Sequence, residues 1–104
     1  MKISAPKPPA HLSAEARRLW ARLLGDFHLD DGAGLALVRV ACESFDRGEA
    51  SRRAIAAEGA TLTDRFGQRK PHPLLQVERD ARAALVSALR AMRLQPGDVG
   101  GDEL

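Results

Sequence analysis

The 104-residue chain is poor in aromatic residues and in cysteine. Aromatic side chains make up 4% of its residues and tyrosine is absent, so leucine, valine, isoleucine and alanine must form the core. Such a core suits packed helices better than a β-sandwich. The single cysteine, Cys42, excludes an intrachain disulfide framework and is typical of a reducing cytoplasm. We therefore expect a mainly α, cytoplasmic protein.

Long apolar runs and catalytic motifs are also missing. No apolar run approaches the roughly 18 residues that a membrane-spanning helix needs, and the N-terminus lacks a signal-peptide core. The sequence has no glycine-rich phosphate loop, no G-x-S-x-G turn, and no His or Cys pair at metal-ligand spacing. We therefore expect no membrane contact, no enzymatic activity or catalytic residue, no metal site and no cofactor.

The charge of the chain alternates along its length, although the net charge is only +2. Residues 1–25 and residues 60–95 each carry a net charge of +4, whereas residues 26–59 and the last nine residues each carry −3. This alternation indicates a polyanion as the partner of the two basic segments, and protein contacts or plain solvation for the acidic ones.

The apolar spacing predicts three helices and one hairpin within a single helical domain. Ser13 suits the N-cap of the first helix, Gly25 its end, and Trp20 the role of packing anchor. Cys42 lies on an apolar stripe, which indicates a buried thiol. The predicted segments are an extended arm (1–10), the domain (11–95) with helices at about 13–24, 31–58 and 73–93 and a β-hairpin at about 61–70, and a flexible acidic tail (96–104).

The second predicted helix is long for so small a domain. Asp30 or Asp31 can cap its start and Gly59 its end, and at 1.5 Å per residue it reaches about 42 Å. Gly48 costs roughly 1 kcal/mol relative to alanine and marks a place for a kink or a break. A helix of this length predicts contacts outside its own chain, as in an oligomeric helical assembly.

A proline-braced corner joins the hairpin to the third helix. Pro71 and Pro73 fix their own φ angles and push Lys70 and His72 into extended conformations. Pro73 can serve as the first helical residue. We interpret His72 as structural, and expect this corner to set the geometry between hairpin and helix.

Exposed basic residues are the candidates for binding double-stranded DNA. Four arginines of the third helix fall within about 80° of one another and face away from its apolar side. Contacts with phosphates would give salt-sensitive affinity without sequence readout, although a solvated surface explains the same pattern. The candidates in the hairpin and the third helix are Arg65, Arg69, Lys70, Arg79, Arg82, Arg90 and Arg93.

The order of several short segments resembles the phage terminase small subunits of the P27 type. The resemblance spans about residues 8–95. The segments that carry it are Pro8 to Ala16 with Trp20, Ala57-Glu58-Gly59 before Thr61 to Phe66, Gly67 to Pro73, and Glu78 to Arg82.

The resemblance implies a non-catalytic factor of viral DNA packaging. Proteins of that family assemble into rings, bind the phage genome, and present it to the large terminase subunit in the bacterial host. It implies that the middle helix and the hairpin build a homo-oligomeric ring, whose exposed arginines line the path of the DNA.

Two other functions remain open from the sequence. A small dimeric DNA-binding regulator would use the same arginines but bury less helix surface. An adaptor that binds only the large subunit would not touch nucleic acid.

Overall fold

The computed structural model describes residues 6–27 and 31–93, and three helices and one hairpin follow one another in these ranges. The central helix, α2, packs against both other helices. This confirms the predicted mainly α fold with a short hairpin. The predicted tail and the first half of the predicted arm lie outside the described residues. The elements are α1 (Ala14–Phe27), α2 (Gly32–Glu58), β1 (Thr61–Thr63), β2 (Arg69–Pro71) and α3 (Leu74–Ala91).

Three of the predicted helix caps are present in the structure. The Ser13 hydroxyl accepts the N–H of Ala16 at 3.0 Å. Asp31 is the residue that caps α2, since its carboxylate accepts the N–H of Gly34 at 2.9 Å. Gly59 ends α2 with φ of +94°, a conformation that suits glycine. Each cap satisfies a backbone group that the helix itself leaves without a partner.

The predicted end of the first helix is wrong. Gly25 does not end the first helix, because α1 continues to Phe27. Gly25 lacks the positive φ of a glycine that ends a helix, a conformation that Gly59 and Gly67 adopt, and it stays within the helix at a cost of roughly 1 kcal/mol relative to alanine. Of the kink or break predicted at Gly48, the break is absent, since α2 is one helix from Gly32 to Glu58.

The core lies where all three helices meet. Trp20 and Cys42 belong to this core, which confirms their predicted burial. Burial, and then the nearby carboxylates of Asp46 and Glu43, raise the pKa of the Cys42 thiol to about 11. The buried apolar residues of this cluster are Leu12, Ala16, Trp20, Leu23, Val38, Ala41, Cys42 and Ala88.

The segment before α1 is tied to that helix by hydrogen bonds. Residues 6–9 form neither helix nor strand. The Trp20 indole N–H donates to the Pro6 carbonyl at 3.1 Å, and the Arg17 guanidinium donates to the carbonyls of Ala10 and Leu12 at 2.7 and 3.2 Å. Arg17 therefore holds the chain that enters α1.

The length and hydropathy of the helices in the described ranges decide whether any of them could cross a membrane. None of them combines the length and the apolar character that crossing a bilayer requires.

Candidate nucleic-acid interface

The turn of the hairpin, residues 64–67, is held by hydrogen bonds from one aspartate. The Asp64 carboxylate accepts the backbone N–H groups of Phe66 at 2.8 Å and Gln68 at 2.9 Å. The backbone N–H of Asp64 donates to the Gln68 carbonyl, and the N–H of Gly67 donates to the Asp64 carbonyl. Gly67 has φ of +80°, which favours glycine. The N–H of Gln68, then that of Phe66 and the Lys70 ammonium, lower the pKa of Asp64.

A cation and an aromatic ring lie together in this turn. The Arg65 guanidinium carbon is 4.9 Å from the centre of the Phe66 ring, within the range of a cation–π contact. Phe66 remains 74% exposed, the largest exposed fraction among the exposed large hydrophobic residues of the described ranges. The turn therefore presents one positive charge and one apolar ring to solvent.

The second strand adds two more cations. The strands pair antiparallel, with Thr63 opposite Arg69 and Leu62 opposite Lys70. Neighbouring residues of a strand point to opposite faces, so Arg69 and Lys70 give each face of the hairpin one positive charge. The Lys70 ammonium lies 3.4 Å from the Asp64 carboxylate, and Arg69 forms no ion pair within the described ranges.

His72 fastens the base of the hairpin to both neighbouring helices. Its backbone N–H donates to the Ala60 carbonyl at 2.8 Å, which extends the hairpin by one bond. The ring is 3% exposed, and its Nδ1 accepts the N–H of Leu74 at 3.0 Å. The Nε2 N–H must then donate to Glu58, whose carboxylate oxygen lies 2.6 Å away. The interpretation of His72 as structural is confirmed.

Three of the four predicted arginines of the third helix lie on α3. Arg79, Arg82 and Arg90 are exposed and share one face by helical spacing. Arg82 forms an ion pair with Glu78 at 2.9 Å, and Arg79 donates to Gln76 at 3.2 Å. These contacts reduce the positive potential of this face without removing it.

Arg93 differs from the prediction because it lies beyond α3. The helix ends at Ala91, and Arg93 has φ of +63°, in the left-handed region. Its N–H donates to the Arg90 carbonyl at 2.8 Å, which closes a final turn. The exposed arginine face of α3 therefore consists of Arg79, Arg82 and Arg90, with Val86 between them on the same face.

A cluster of polar side chains lies between the residues that precede α1 and the middle of α2. The His11 ring contacts Glu43 at 2.7 Å, and Arg39 donates to the same carboxylate oxygen at 3.0 Å. Arg39, and then His11, lower the pKa of Glu43. Ser13 donates its N–H, at 2.8 Å, and its hydroxyl to Asp46. These carboxylates hold the helices together, and they are occupied by partners from this chain.

The described residues contain no group of three or more His, Cys, Asp or Glu that could hold a metal ion. Comparison with protein-family models, with curated proteins and with solved structures found no match.

Phe66 is the candidate residue that the sequence interpretation missed. The sequence placed it in the turn and assigned it no role. An aromatic residue between the aspartate and the glycine of the hairpin turn lies at the opposite end of the hairpin from the helices that form the core. That position was the signal that could have identified it.

Proposed function

We propose that this chain is a non-catalytic DNA-packaging factor of the terminase small subunit type. It binds double-stranded phage DNA and presents it to the large terminase subunit in the cytoplasm of the bacterial host. The observation that carries the proposal is the exposure of the predicted cations on the hairpin and on α3. The ordered segments that resemble the P27 family add the packaging role.

The charge of the hairpin and α3 favours a polyanion. Phosphates attract exposed guanidinium and ammonium groups without any need for base contacts. The neighbouring carboxylates are engaged within the chain, since Asp64 holds the turn, Glu58 contacts His72, and Glu78 contacts Arg82. The guanidinium groups of Arg69 and Arg90 form no ion pair within the described ranges and are available to phosphates.

Exposed apolar surface supports a further role in assembly. Val40 and Val86 are 44% and 45% exposed on α2 and α3. Between these helices lies a groove of about 390 Å³, lined in part by Phe45, Gly48 and Leu85. Surface of this kind suits contacts between copies in a ring, where different patches of neighbouring subunits meet.

Salt-dependent binding of duplex DNA tests the proposal. A variant in which glutamine replaces Arg79, Arg82, Arg90 and Arg93 should bind duplex DNA more weakly in a mobility shift assay. The slope of log affinity against log salt should also become less steep, by about 0.9 for each phosphate that the variant no longer neutralises. The control replaces Arg39 and Arg52, which are engaged with Glu43 and Glu49, and should change binding little. If the four-residue variant keeps both affinity and slope, the arginines of this set are merely solvated.

Light scattering and two DNA types separate the alternatives. A ring has many times the mass of one chain, whereas a dimeric regulator has about twice that mass. An adaptor that binds only the large subunit would shift neither packaging-site DNA nor random duplexes. That last result would refute the DNA-binding part of the proposal.

A further inference from the structure

The exposed ring of Phe66 is the feature of this surface that phosphate contacts leave unexplained. Single exposed apolar side chains are common on soluble proteins, so its 74% exposure alone decides little. Its position distinguishes it from Val40 and Val86, which are half-exposed within helices. Phe66 lies in the turn of a hairpin, where it can enter a narrow space in a partner.

The turn presents this ring on a rigid support. Both backbone N–H groups that flank Gly67 in sequence, those of Phe66 and Gln68, donate to the Asp64 carboxylate. At about 3.3 Å per residue, the three-residue strands carry the turn about 10 Å from the base of the hairpin. At that base His72 is buried and hydrogen-bonded. Because the support is already ordered, insertion of the ring costs little conformational entropy.

The charges around the ring favour nucleic acid as its partner. Arg65 lies over the ring, and Arg69 and Lys70 follow on the adjacent strand. The one carboxylate in the turn, Asp64, is occupied by two backbone N–H groups and by Lys70. An apolar ring among cations complements a base stack between phosphates, whereas the apolar groove between α2 and α3 offers mainly uncharged surface.

We propose that Phe66 is a wedge that enters duplex DNA and stacks against a partly opened base step. Arg65, Arg69 and Lys70 then hold the phosphates on either side. This inference rests on the proposed function and adds to it a local distortion of the DNA. Apolar wedges of this type unstack base steps and kink the duplex. Pyrimidine–purine steps open more easily than A-tracts, so binding favours DNA that contains them.

A fluorescent base tests the wedge directly. The probe is a duplex with 2-aminopurine at a central TA step, which brightens when its stacking is lost. The wild-type protein should raise its fluorescence, and Phe66→Ala should abolish the rise and weaken binding about 5- to 100-fold. The salt slope should stay unchanged in this variant, because the phosphate contacts remain.

Two further variants serve as controls. Phe66→Leu keeps an apolar wedge and should retain part of the fluorescence rise. Val86→Ala removes an exposed apolar side chain of α3 and should keep the fluorescence rise at saturating protein, because the Phe66 side chain remains. Phe66 is outside the core, so circular dichroism should show the same helical content in all the variants.

Three contrary results would distinguish failure of the wedge from failure of the proposed function. If the wild-type protein binds the duplex without brightening it, or if Phe66→Ala still brightens it, the wedge is wrong and the proposed function stands. If Phe66→Ala lowers the mass of the assembly in light scattering and leaves the fluorescence rise intact, the Phe66 side chain contacts another copy of the chain instead of DNA. If the wild-type protein binds no duplex at low salt, the proposed function fails, and the wedge fails with it.

Discussion

Two histidines form the same kind of contact at very different depths. His72 Nε2 lies 2.6 Å from Glu58, and His11 Nε2 lies 2.7 Å from Glu43. The His72 side chain is 3% exposed and its partner Glu58 57%, whereas His11 is 54% exposed and its partner Glu43 34%. An ion pair between exposed side chains contributes little to stability. Removal of a buried side chain costs more, because the groups that it contacted are left without hydrogen-bond partners.

Replacement of these histidines should therefore have unequal effects. His72→Ala should lower the free energy of unfolding by about 2–4 kcal/mol, because it leaves a cavity and removes the acceptor of the Leu74 N–H. The matched control, His11→Ala, should lower it by less than about 1 kcal/mol. Urea denaturation followed by circular dichroism measures both. Equal losses would mean that the burial of His72 contributes nothing to stability.

At the scale of elements, Gly48 allows α2 and α3 to pack without a break in α2. A Cβ atom built on Gly48 would lie 3.6 Å from the Cβ of Ala81, which is ordinary van der Waals contact. Both residues are buried. The two small residues therefore face each other across the helix pair, and a methyl group would fit where a longer side chain would not.

This geometry predicts opposite effects for two substitutions at Gly48. Gly48→Ala should raise the free energy of unfolding by about 0.5–1 kcal/mol, since alanine is the better helix former. Gly48→Leu should lower it by about 1–3 kcal/mol, because the larger side chain overpacks the contact with Ala81. Gly25→Ala is the control, since a Cβ there meets nothing within 4 Å. Thermal unfolding measures all three, and a destabilised Gly48→Ala would contradict the 3.6 Å spacing.

The helix caps and the hairpin were predictable because their signals are local. Ser13, Asp31 and Gly59 each bond with backbone groups within four residues, so sequence spacing suffices to find them. The effect of the glycines at 25 and 48 was harder to predict. Gly25 lies within α1, and Gly48 lies within α2, where a Cβ would contact Ala81. A tertiary contact such as the one with Ala81 leaves no mark in the local sequence.

The candidate interface was predictable in part. The seven basic residues were identified from charge and helical spacing, and all of them are exposed. Arg93 left the predicted face because α3 ends two residues earlier, and helix ends are set by a small balance of local bonds. Phe66 was missed because the exposure of an aromatic ring depends on where the core lies.

At the scale of the whole molecule, Cys42 reports on the integrity of the core. Its neighbours in the buried cluster come from α1, α2 and α3, so a reagent reaches the thiol only after the helices separate. Burial raises its pKa to about 11 from an ordinary value of 9.0. The neutral thiol therefore stabilises the fold below pH 9.0, and this contribution is lost as the pH rises through about 11.

The raised pKa predicts slow modification of the native protein. At pH 8 it lowers the thiolate fraction about 100-fold, and exclusion of the reagent slows the reaction further. A chromogenic disulfide reagent should therefore react at least 100-fold more slowly with the native chain than with the chain in denaturant. The rate should rise with urea in parallel with unfolding. A fast reaction in the absence of urea would show that the helices open around Cys42.

The buried His72 side chain fixes the base of the hairpin to α2 and α3. The His72 side chain is bonded to Glu58 in the last turn of α2 and to Leu74 in the first turn of α3, so bending at the base of the hairpin would break these bonds. We therefore expect a force applied at Phe66 to be transmitted to both helices. Under the proposed function, a pull on DNA bound at the hairpin would reach α2 and α3 through the contacts of Glu58, His72 and Leu74.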